Sequence, residues 1–208
     1  MRRIVFSLFF LILFLTILPK AFASTNFFTD YNVTYNISSS SETNVSIDVS
    51  LTNLTDNYYA SSYDIEVGFT DLRNLRGEQG GQGISLEVQK SENGSKIHIP
   101  FNERVVGKDN KLNFRVSFIT DEIAENLNNV WDINIPGVSE NSDFSNFNVR
   151  VIYPSSLGKP AYIKPSLSRT LETNGNSIDF TREDLGQSGI SLAFGKYQVY
   201  DFNLTYHL

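Results

Sequence analysis

Apolar and polar residues alternate along most of this chain. Tyr31, Val33, Tyr35 and Ile37 are spaced by Asn32, Thr34 and Asn36, and Val45, Ile47, Val49 and Leu51 repeat the pattern after the polar stretch Ser38–Glu42. A period of two marks a strand with one buried face. The two runs predict a hairpin. Ile65, Val67 and Phe69 predict the next strand. Beyond the glycine-rich loop Gly77–Gly83, Ile84, Leu86 and Val88 predict another, which Glu92–Ser95 turns back into Ile97, Ile99 and Phe101. Leu112, Phe114, Val116 and Phe118 follow a turn at Gly107–Asn110, and Val130–Val138 returns to strand. One short helix is expected over Asp121–Asn128, capped by Thr120, with Asp121 and Glu122 where the helix dipole favours acids.

The polar stretch 139–145 interrupts this pattern and reads as a linker. Beyond it Phe147, Val149, Val151 and Tyr153 alternate, then Ser177–Phe180, Ile190–Phe194 and finally Tyr200–Leu208. Pro160 and Pro165 bar a central strand position between them. Many short strands and almost no helix predict an all-β protein. The expected organisation is an antiparallel, immunoglobulin-like β-sandwich over 24–138, the linker, and a second all-β unit over 146–208. DFNLTYHL at Asp201–Leu208 echoes DYNVTYNI at Asp30–Ile37, and its alternation leaves a terminal strand without a following partner. The expectation is therefore a fragment or shortened relative, with the second unit truncated.

The N-terminus changes the compartment. Arg2 and Arg3 precede an apolar run, Ile4–Leu18, which is short of the ~20 residues a spanning helix needs. Ala21-Phe22-Ala23 supplies the small residues a signal peptidase reads. Residues 1–23 are expected to be a signal peptide cut between Ala23 and Ser24, with a retained anchor as the alternative. Losing Arg2, Arg3 and Lys20 takes the net charge from −6 to −9. That disfavours nucleic acid and anionic lipid as partners. The mature chain has no second run long enough to span a membrane, and it has no cysteine. The expected location is secreted or cell-surface, with a core closed by packing alone.

Candidate chemistry is sparse. His98 and His207, the two histidines, both fall on the polar phase of a strand. No Gly-x-Ser-x-Gly elbow occurs, cysteine catalysis is excluded, and no metal-ligand spacing is present. No catalytic residue, metal or cofactor is assigned. Asp121, Glu122 and Glu125 read as a solvated helix start. Six glycosylation sequons, at Asn32, Asn36, Asn44, Asn53, Asn93 and Asn203, fit the frequency of Asn, Ser and Thr. Trp131 reads as a core residue. Tyr58 and Tyr59, in NYYASSY, form the most binding-like stretch, because exposed tyrosines can stack on a sugar ring or anchor a partner.

The phrases DYNVTYNI, VSLTNLTDNYYASSYDIEVGF, IPFNERVVGKDNKLNFRVSF, VWDINIPG, LGKPAYIKP and GISLAFGKYQVYDFNLTYHL together resemble the N-terminal, non-catalytic region of exported bacterial proteins carrying a transglutaminase-like domain. The resemblance implies a β-sandwich region ahead of an enzyme. In that family a Cys-His-Asp constellation of the downstream domain does the chemistry, and no position here takes the cysteine's part. The function expected is a secreted structural or interaction module, whose partner is the downstream domain of the parent protein or a cell-envelope component. The alternative is a carbohydrate-binding or adhesion module using Tyr58 and Tyr59.

Overall fold

A computed structural model describes residues 26–104, 106–127, 130–137, 144–166, 176–185 and 189–195. The signal segment with Ala23 and Ser24, residue 138 and the linker residues 139–143, and His207 with the expected strand Tyr200–Leu208 lie outside the described residues.

The opening hairpin forms as the alternation predicts. Strand β1 (Phe27–Ile37) and β2 (Thr43–Asn53) pair antiparallel in unbroken register, with Tyr31 opposite Val49 and Val33 opposite Ile47. The chain reverses where Ser38 donates its N–H to the Glu42 carbonyl and Ser41 takes a positive φ of 71°. Each alternate residue on one face is buried, and Asn32, Asn36 and Asn44 stay outside.

The remaining strands, in chain order, are β3 (Ser62–Val67), β4 (Arg73–Gln79), β5 (Gln82–Ile84), β6 (Glu87–Ser91), β7 (Gly94–Pro100), β8 (Lys111–Thr120), β9 (Ala124–Asn126), β10 (Val130–Ile135), β11 (Asn146–Ile152), β12 (Tyr162–Lys164), β13 (Ser177–Thr181) and β14 (Ile190–Gly195). They build three sheets: β13-β11-β1-β2-β8-β4-β5, β12-β14-β10-β9, and β3-β7-β6. The protein is all-β, with one short helix, Arg182–Leu185, and one 3-10 turn, Ser155–Leu157, among the described residues. Tyr31 and Phe114 of the large sheet touch Tyr63 of β3, and Tyr153, just past β11, packs its ring at a tilt against Phe194 of β14. The large sheet therefore packs against both smaller ones around a shared core of buried side chains.

The sheets do not divide at 139–145 as the sequence suggests. Strand β11 lies parallel to β1, with Val33 beside Val149 and Tyr35 beside Val151. Strand β14 pairs antiparallel with β10. Both sides of the polar stretch thus contribute to the same two sheets. A parallel neighbour more than a hundred residues away leaves no local signal. Among the described residues it is also the exception to antiparallel pairing.

Smaller expectations are corrected too. The helix expected over Asp121–Asn128 is absent from its described part, Asp121–Leu127. The Thr120 hydroxyl accepts the Glu122 N–H at 3.2 Å, but the chain then extends to bury Ile123 and Ala124 and to pair β9 with β10. The loop Gly77–Gly83 is a tight hairpin. Gly80 and Gly81 take φ of +57° and +80°, which glycine, having no Cβ, adopts at no steric cost. The run Ile84–Val88 splits, with Ile84 in the large sheet and Val88 exposed in the small one. Trp131 is half-buried at the margin of the core. Between the prolines, β12 is an edge strand, as proline requires.

The outward face of the large sheet is polar and internally paired. One row runs Glu78, Arg115, Asp48, Asn32, Asn148 across five strands. Within it Arg115 Nε donates to Asp48 at 2.6 Å and the Asn148 amide donates to Asn32 at 3.1 Å. Beside it Asn146 donates to Asp30 at 2.7 Å, and Arg150 grips Asp179 with two bonds of 2.7 and 3.0 Å.

Candidate functional site

Apolar side chains come to the surface together at one end of the sandwich. The loop from β2 to β3 carries Leu54, Tyr58 and Tyr59, which are 42%, 58% and 46% exposed; the loop from β7 to β8 carries Val106, 59% exposed. Two buried amides shape these loops. Asn53, 1% exposed at the end of β2, donates from Nδ2 to the Tyr58 carbonyl at 2.6 Å. Its Oδ1 accepts the Thr55 N–H at 2.9 Å and the Thr55 hydroxyl at 3.1 Å. Its backbone N–H and carbonyl bond Asn110 and Asp109 of the second loop. Gln79 does the same two strands over, at the end of β4, donating to the Glu103 carbonyl at 3.0 Å and accepting the Asn102 N–H at 2.9 Å.

Further bonds tie the loops together. The Lys108 N–H donates to Asp56 at 3.2 Å, and the Phe101 N–H donates to the Ser61 carbonyl at 3.0 Å. Arg104 reaches across to Tyr59. Its Nη1 donates to the phenol oxygen at 3.2 Å and its guanidinium lies 5.0 Å from the ring centroid, a cation–π contact. No carboxylate pairs with Arg104 among the described residues. The two loops carry Asp56, Glu103 and Asp109 against Arg104 and Lys108, and Lys111 at the start of β8 balances the remaining negative charge.

The sequence singles out Tyr58 and Tyr59, and the structure exposes both. The sequence does not reveal that Arg104 meets Tyr59, because only the pairing of distant strands brings the two loops together. The Asn53 hub hides in a sequon whose asparagine is buried. Asn32, Asn36, Asn44 and Asn93 are exposed, and Asn203 lies outside the described residues.

Elsewhere the polar groups serve the fold. His98 stands on an outward face, its Nδ1 2.7 Å from Asp64, while Lys96 sits 3.0 Å from the same carboxylate. The bond to His98, then that to Lys96, holds the Asp64 carboxyl below the usual range. Glu122 is an anchor. Its carboxylate accepts the Thr70 N–H, the Thr70 hydroxyl at 2.7 Å and the Asp71 N–H at 2.5 Å, tying the β3–β4 loop to the turn after β8. Burial raises its pKa, but these bonds outweigh burial and leave it lowered. Among the described residues no three His, Cys, Asp or Glu side chains are placed to hold a metal ion, and no helix is long and apolar enough to cross a membrane.

A cleft of about 930 Å³ opens between β3 and the inner face of β1, floored by Tyr31, Val33 and Tyr35 and bounded by Pro136, Gly137 and Phe144. There the Tyr31 hydroxyl donates to that of Tyr63 at 2.9 Å. Burial, then the neighbouring Tyr63, holds the Tyr31 phenol far above its ordinary range.

No family model and no curated protein matches the sequence. Among solved structures, yeast LTA4 hydrolase aligns over 81% of this chain at 16% identity with a TM-score of 0.48. An M1 zinc metallopeptidase from Deinococcus radiodurans aligns over 80% at 14% identity with a TM-score of 0.39. The chain spans 29% of the first protein and 41% of the second. Likeness at this level says nothing of activity.

Proposed function

We propose that this chain is a structural and interaction module of an exported protein, with a stiff sandwich as spacer and the Tyr58–Tyr59 end as its contact surface. The supporting observation is a contrast within the molecule. The outer face of the large sheet pairs its own charges and amides, while the loop end presents four apolar side chains on a braced frame. A surface that satisfies itself offers little to a partner. A preorganised apolar patch lowers the entropy cost of binding.

By its sequence resemblance the module would hold a transglutaminase-like domain near the cell envelope. The test uses the full chain and its Tyr58→Ala, Tyr59→Ala double variant, each incubated with isolated envelope. The parent protein should co-sediment and the variant should not, with unchanged melting of both. Equal sedimentation of the two proteins would refute the assignment of the contact surface.

A further inference from the structure

We infer that the loop end binds a neutral saccharide chain, stacked on Tyr58 and Tyr59 and hydrogen-bonded by Arg104. This rests on the contact surface proposed above and names the chemistry it takes. Three observations converge on it.

The first is charge. Three acids and two bases leave the two loops at −1, and Lys111 at the start of β8 brings this end to neutral, on a chain of net charge −6. Neither a polyanion nor an anionic bilayer is drawn to a neutral patch on an acidic protein. A neutral ligand meets no such penalty.

The second is size. Tyr58 and Tyr59 together expose about as much as one fully open tyrosine, ~150–250 Å². Leu54 and Val106 are smaller and about half exposed. The total falls well short of the ~800 Å² per partner of a standard protein interface. One or two pyranose rings, each with an apolar face about as broad as a phenol ring, match it.

The third is chemistry. A saccharide offers C–H faces to aromatic rings and hydroxyls to donors. Tyr58 presents an open ring, 58% exposed, and Arg104 holds the ring of the next residue, Tyr59, in place. Arg104 spends one donor on the Tyr59 oxygen and meets no carboxylate among the described residues. A guanidinium has five N–H donors in a planar fork, leaving donors for ring hydroxyls. The bracing by Asn53 and Gln79 fixes this arrangement before any ligand arrives.

The test titrates the full chain with cellohexaose and with chitohexaose by calorimetry, beside phosphatidylglycerol vesicles. At least one hexasaccharide should bind and the vesicles should not. Tyr58→Ala and Arg104→Ala should each weaken that binding about tenfold or more, with melting temperatures within ~2 °C of the parent. Failure of both hexasaccharides to bind, binding to vesicles alone, or equal affinity in the Tyr58→Ala, Tyr59→Ala protein would overturn the inference. If the double variant loses envelope association while neither sugar binds, the saccharide falls and the contact surface stands. If envelope association survives in that variant, the contact surface falls as well.

Discussion

Replacing Asn53 with alanine removes the side chain that shapes the exposed loop end. Two backbone groups lose their partner, the Thr55 N–H and the Tyr58 carbonyl, bonded at 2.9 and 2.6 Å. The Thr55 hydroxyl loses its acceptor too, but can turn to water. An orphaned buried backbone group costs about 1–3 kcal/mol. These two are part-buried near the surface, so water recovers some of that. The net loss is about 2–3 kcal/mol. For a chain of this length each kcal/mol moves the melting temperature by about 2–4 °C, so Asn53→Ala should melt about 5–10 °C lower. Urea denaturation should show a lower midpoint at unchanged slope, the sign of lost stability in an otherwise similar fold. Asn53→Asp sharpens the test. It keeps the acceptor for Thr55 but sets a carboxylate against the Tyr58 carbonyl, so it should be at least as damaging. Both variants within about 0.5 kcal/mol of the parent would refute the argument that this amide holds the loops, since that is the scatter of neutral surface changes.

Three further outcomes follow from the packing and charge. Glu122→Gln should cost about 1 kcal/mol at neutral pH, the value of charge-assisted bonds discounted for exposure. The carboxyl's pKa is lowered in the folded protein, so its stabilisation is complete above the ordinary carboxylate range and lost as pH falls through the lowered value. Melting curves of the parent and Glu122→Gln should therefore converge in acid. Val151→Ala, at a fully buried position of β11 beside Tyr35, should lose about 2 kcal/mol in urea denaturation. In ultraviolet titration of the folded chain Tyr31 should stay un-ionised at alkaline pH values that ionise surface tyrosines, titrating only on unfolding.

The alternation of Tyr31–Ile37 and Val45–Leu51 fixes which face of the opening hairpin is buried, because a period of two assigns alternate side chains to opposite faces. The glycine pair at 80–81 and the turn at Glu92–Asn93 end their strands where local chemistry directs. Three features escape local reading for one shared reason. The parallel bond of β11 to β1, the split of Ile84 from Val88, and the meeting of Arg104 with Tyr59 are each decided by a partner distant in the chain. The misread helix at Asp121–Asn128 adds a second lesson. Acids beside a threonine suit a helix start, but burying Ile123 and Ala124 beside β10 outweighs so weak a local preference. Exposure of Tyr58 and Tyr59 was legible in kind, from two adjacent aromatics in a polar stretch. Their bracing was not, since Asn53 looks like any other sequon.

Hydrogen exchange measured residue by residue tests most directly the claim that β1 and β11, on either side of the polar stretch 139–145, complete one sheet supporting the loop end. Amides of Val33 and Tyr35 in β1 and of Val149 and Val151 in β11 should exchange at a common slow rate set by global unfolding, with the Thr55 amide protected above its loop neighbours. Exchange of the β11 amides orders of magnitude faster than those of β1 would contradict it, because 146–181 would then open independently of the sheet it is said to complete.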